Sequence, residues 1–121
     1  MNTETHLHKY RKFKEEGKRA KYPPSKIENY FLSSFQLIEA VVHLKSGKHI
    51  QKHQKIRKIL ESNPFIFKDD TEKVWRSFQD LENRVRVATS YGSRDNGDLL
   101  KEAKEKFEII ENLCGDLIED R

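Results

Sequence analysis

Three groups of side chains in this chain are of types that do chemistry. His49 and His53 stand four residues apart within Lys48-His49-Ile50-Gln51-Lys52-His53-Gln54-Lys55, the helical spacing that aims two imidazoles at one metal ion. Asp69, Asp70 and Glu72 bring three carboxylates into four positions, a set that could divide general-acid and general-base roles. Arg84 and Arg86 lie in Glu82-Asn83-Arg84-Val85-Arg86-Val87-Ala88-Thr89-Ser90-Tyr91-Gly92, where a planar guanidinium could take an anion bidentately.

Each group also has a plainer reading. Around the histidines, Lys48, Lys52, Lys55, Arg57 and Lys58 raise the local potential, and no carboxylate follows until Glu61. Zinc takes at least three protein ligands, so no metal site is expected; the histidines read as polar residues on a solvated basic helix, or, with the lysines, as donors to phosphate or nucleic acid. Asp69 and Glu72 read as the capping signature of the helix that follows. Either arginine could point into a groove between helices or pair with Glu82 or another carboxylate. There is no Gly-rich phosphate loop and no nucleophile elbow, so no cofactor is expected. The one cysteine, Cys114, falls on an apolar stripe and reads as a small core residue.

The elements that carry these residues are helical. Val74, Phe78, Leu81, Val85 and Ala88 step by three or four residues, as do Leu99, Ala103, Phe107, Ile110, Cys114 and Leu117, which puts each set on one helix face. The break at 92–97 between them predicts an antiparallel hairpin. Trp75, one residue off the first stripe, suits a helix interface or a dimer contact, and its plainer reading is core filler.

Upstream, residues 7–20 predict a weakly anchored basic helix. It carries Leu7, Tyr10, Phe13 and Ala20, is interrupted by Gly17, and is stopped by Pro23 and Pro24. Ser25-Lys26-Ile27-Glu28 reads as a capping box opening a long helix to Ser46, with Gly47 as its left-handed terminator. A shorter basic helix is expected over 50–61. Phe65, Ile66 and Phe67 should tuck under the bundle, helix four should run to about Tyr91, and Asp95 or Asn96 should cap the last helix. No segment alternates with the period of a strand. The expectation is an all-α protein of one domain, an up-and-down helical bundle of four core helices plus an N-terminal helix, with 1–22 as a basic helix or arm.

The net charge of +4 hides a division. Residues 1–58 hold fourteen Lys or Arg against five Asp or Glu, or +9, while 59–121 hold ten against fifteen, or −5. A basic half attracts polyanions and also suits head-to-tail contact between copies or an acidic protein partner. No apolar run approaches a membrane span, and the N-terminal residues do not resemble a signal peptide, so a soluble cytoplasmic protein is expected.

Three features together resemble the HEPN superfamily of small prokaryotic helical domains that sit beside minimal nucleotidyltransferases. They are the amphipathic helix over 27–42, the short basic helix with histidines, and Arg-x-x-x-Ala-x-x-Tyr from Arg84 to Tyr91 followed by Leu99-Leu100-Lys101-Glu102-Ala103. The resemblance covers 25–118. It implies a bundle that pairs as a homodimer and binds nucleotide or RNA, supports a nucleotidyltransferase partner, or cuts RNA without metal. Active nucleases of the family carry Arg, four to six residues, then His. Here those places hold Thr89, Ser90 and Tyr91 after Arg84, and Tyr91, Gly92 and Ser93 after Arg86. The leading expectation is therefore a non-catalytic HEPN-like domain binding nucleic acid, nucleotide or an acidic protein partner. Its contact residues would be Arg84, Arg86, Tyr91, Lys48, His49, Lys52, His53 and Lys55. The alternatives are a metal-independent ribonuclease that borrows His43, His49 or His53, and a module that binds only protein.

Overall fold

The computed structural model of the chain describes residues 2–90 and 96–119. Five α-helices pack together: α1 (Thr3–Arg19), α2 (Pro23–Ser46), α3 (Ile56–Ser62), α4 (Thr71–Ser90) and α5 (Asn96–Glu119). Two 3₁₀ turns, His53–Lys55 and Lys68–Asp70, precede α3 and α4. No strand occurs among the described residues, so the all-α expectation holds. Among them, too, no helix is long and apolar enough to cross a membrane.

The centre of the bundle is α2, which packs on α1, α4 and α5. Its residues 37–42 are buried without a break, as expected of a helix covered on more than one side. Phe78 of α4 stacks on Phe31 at 5.0 Å between ring centroids and lies 6.2 Å from Phe35, while Phe107 of α5 meets Tyr30 at 5.0 Å. Both C-terminal stripes face this core; Val74, Leu81, Ala103, Ile110 and Cys114 are fully buried. Arg84 pairs with Glu102 and Asp80 with Lys106. One partner number rises as the other falls, which fixes α4 and α5 as the expected antiparallel pair.

Packing of α1 on α2 is the most extensive in the molecule, so the N-terminal helix is firmly docked rather than weakly anchored. It also starts earlier than expected, because the Asn2 side chain accepts from the Thr5 backbone N–H at 2.9 Å and caps it. Gly17, expected to weaken α1, is instead where the two helices approach. A Cβ there would meet the Asn29 Cβ at 3.1 Å, and Lys26 Nζ donates to the Gly17 carbonyl at 3.0 Å. Its cost in helix propensity is offset by contact that a larger residue would block.

The capping box at Ser25 does not form. Pro23 and Pro24 occupy the first two positions of α2, and Tyr22 precedes them with no side-chain cap. Prolines there have no N–H to leave unsatisfied, so they open the helix, and Ser25 lies inside it. The far end is as expected: Gly47 adopts φ 72° and its N–H donates to the His43 carbonyl.

The helix expected over 50–61 is shorter. Residues 48–52 form no helix, Ile50 is inserted into the core, and α3 begins only at Ile56. Ile66 and Phe67 tuck under the bundle, but Phe65 is 56% exposed. Trp75 is core, 5% exposed, beneath the Arg57 guanidinium at 4.1 Å.

Candidate nucleic-acid interface

Because α2 stops at Gly47, the basic segment runs outside the bundle. Lys48, Lys52, Lys55 and Lys58 are all exposed. The Lys55 N–H donates to the Lys52 carbonyl at 2.9 Å, closing a turn that keeps the two residues near one another. Lys58 follows in the first turn of α3. None of Lys52, Lys55 and Lys58 has a carboxylate within ion-pair distance among the described residues. Lys48 donates to the Asn63 side-chain oxygen at 2.9 Å, a neutral partner that leaves its charge uncompensated.

His53 connects this edge to α4. Its Nε2 lies 2.8 Å from Glu82 Oε2, and the other oxygen of Glu82 faces an Arg86 terminal nitrogen at 3.8 Å. The imidazole is held edge-on by Phe31, at 5.3 Å and 82°, and by Phe35. Arg86 remains 67% exposed beyond the carboxylate. Beside them lies a cleft of about 130 Å³ lined by His53, Arg57, Trp75, Gln79 and Glu82. Two segments of the sequence more than twenty residues apart are thus joined at one edge, with Glu82 as the link.

Other expected contact residues are elsewhere. Arg84 Nε donates to Glu102 Oε2 at 2.7 Å across the α4–α5 seam, with 28% of its side chain exposed. That is the pairing role foreseen as its plainer reading. His49 does not stack above His53, because no helix joins them. Its ring lies 4.7 Å from that of His43 and 6.2 Å from that of His6. Tyr91 and Asp95 lie outside the described residues, as does the side chain of Asn96.

That histidine group surrounds a feature not foreseen. Glu39, 7% exposed on α2, places Oε2 3.0 Å from Nδ1 of the equally buried His6. His6 Nδ1 also reaches Gln36 Oε1 at 2.8 Å, and His43 Nδ1 reaches Thr3 Oγ1 at 2.9 Å. Burial pushes the Glu39 carboxyl up to about 7 from its ordinary 4.5, against the opposing pull of Lys9 and the Ile50 backbone N–H. The signal was present in the sequence as one carboxylate inside Leu37-Ile38-Glu39-Ala40-Val41-Val42. Among the described residues no group of three or more His, Cys, Asp or Glu side chains is arranged to hold a metal ion. No protein family, curated protein or solved structure matches the chain.

Proposed function

We propose that the chain is a non-catalytic, HEPN-like helical domain that binds single-stranded nucleic acid along the edge formed by Lys52, Lys55, Lys58 and Arg86. The observation that carries this reading is three exposed lysines within seven residues, without ion-pair partners among the described residues, in a segment that His53 and Glu82 join to a mostly exposed arginine. Such an edge neutralises backbone phosphates and releases their counterions without reading bases. The cleft beside them, lined by His53, Gln54, Arg57 and Gln79, adds a polar recess next to the cations.

The test is binding of a fluorescein-labelled single-stranded RNA across a salt series. Four phosphate contacts give a log–log slope of about −2.8, or a loss of about 50-fold in affinity between roughly 50 and 200 mM salt. The triple variant Lys52→Gln, Lys55→Gln, Lys58→Gln should lose about two units of that slope. No binding at low salt removes the nucleic-acid reading and leaves a module that binds only protein.

One contact supports a second reading. His53 and Arg86 share the Glu82 carboxylate, the pairing of imidazole and guanidinium that metal-independent RNA cleavage uses. Cleavage of the same RNA in EDTA, lost in both His53→Ala and Arg86→Ala, would replace the non-catalytic reading with that one. Sedimentation of the sample reads the homodimer that the family resemblance implies.

A further inference from the structure

A second cleft, of about 250 Å³, opens between α1, α2 and α5. Its floor is made by the rings of Tyr30 and Phe107, 5.0 Å apart and tilted by 33°. One wall is fixed: Glu111 accepts from both the Tyr10 hydroxyl and Lys14 Nζ, the latter at 2.6 Å. Lys14 and Glu111 therefore cancel each other's charge. Three further charges line the cleft, Lys18 from α1 and Lys104 and Glu108 from α5, all exposed. None of the three has an ion-pair partner within 4.0 Å among the described residues.

Size and charge restrict what fits. The volume lies below the roughly 300–1,000 Å³ of pockets for drug-sized ligands, so the occupant has one or two rings. A simple anion would leave Glu108 opposed to it, and a simple cation would meet the two ammonium groups that line the cleft. A ligand carrying both charges satisfies all three side chains. We propose that this cleft binds an aromatic α-amino acid, its ring on Tyr30, its carboxylate between Lys18 and Lys104, and its ammonium on Glu108. This site is separate from the basic edge and does not depend on nucleic-acid binding.

Calorimetric titration of the full chain with L-phenylalanine, 3-phenylpropionate and phenethylamine tests it. Phenylalanine should bind about tenfold or more tightly than either analogue, since each analogue lacks one charge-assisted contact. Lys104→Gln should weaken phenylalanine and phenylpropionate but leave phenethylamine no weaker, since it loses a like charge, while Glu108→Gln should weaken phenylalanine and phenethylamine but leave phenylpropionate no weaker. Both substitutions are at exposed positions, so the fold tolerates them, and far-UV dichroism checks that it does. Equal affinity for all three ligands, failure of the two variants to divide them in this way, or no saturable heat up to about 10 mM phenylalanine would overturn the proposal.

Discussion

Replacing Glu39 by Gln should make stability less dependent on pH, in a direction set by the state of the His6–Glu39 pair. At 3.0 Å the contact has the geometry of an ion pair. The surroundings favour a neutral one. The Glu39 side chain is 8% exposed, and a carboxylate there would lose most of its hydration. With its carboxyl raised from 4.5 to about 7 by burial, the folded chain holds a proton on Glu39 in a window where the unfolded chain has released it. Stability that this group contributes is therefore present below pH 4.5 and is lost as pH rises to about 7. At about 1.4 kcal/mol per pH unit, the ceiling is about 3 kcal/mol. Gln keeps the shape and a hydrogen-bonding oxygen but cannot ionise. Urea unfolding of both proteins between about pH 4.5 and 8 should give a stability difference, variant minus parent, that rises by up to about 3 kcal/mol with pH. Lys9, His43 and His49 act on both proteins from the same end of the bundle and largely cancel in the difference. A difference that falls with pH would mean that Glu39 is ionised in the fold, refuting the reasoning.

Three other outcomes follow from the packing. A double-mutant cycle on Arg84→Ala and Glu102→Ala should return a coupling of about 0.5–1 kcal/mol, as for a partly exposed pair, and Arg84→Ala should leave the salt slope of RNA binding unchanged. Gly17→Val should lower unfolding free energy by about 1–3 kcal/mol in urea titration, because its side chain would enter a space where a Cβ already meets Asn29 at 3.1 Å. The Cys114 thiol, fully buried and pushed above its ordinary range by that burial, should ignore a thiol-reactive dye in the folded protein and react in urea. Labelling of Cys114 at native-state rates equal to those in urea would contradict its place in the core.

What the sequence made legible was whatever depends on one helix alone. The stripes through Val74, Phe78 and Leu81 and through Ala103, Phe107 and Ile110 give both period and partner, and Gly47 stops α2 where its φ of 72° requires a residue without a Cβ. The errors at Ser25 and Gly17 have a common cause: a local signal had a second solution. With two prolines opening α2, the Ser25 and Lys26 N–H groups donate to the Tyr22 carbonyl and no capping box is needed, and a glycine that weakens a helix also admits a neighbour. The helix expected over 50–61 had a six-residue gap between Ile50 and Ile56, too long for a helical stripe and a sign that Ile50 reaches the core from non-helical chain.

The candidate sites were less legible, because each is assembled from elements whose relative rotation no single helix encodes. Arg86 and Glu82 are four apart and could be paired on paper, but nothing local brings His53 to the same carboxylate. Arg84, two residues from Arg86, points instead to α5, since two steps along a helix turn a side chain through about 200°. That rotation divides the work between the two arginines. The one facing α5 is compensated by Glu102 and holds the hairpin, while the one facing the lysine edge shares its carboxylate with a histidine and keeps two-thirds of its surface in solvent. If phosphate binds this protein at the basic edge, Arg86 is the arginine with surface left to meet it, and exchanging the effects of Arg84→Ala and Arg86→Ala on RNA affinity would overturn that assignment.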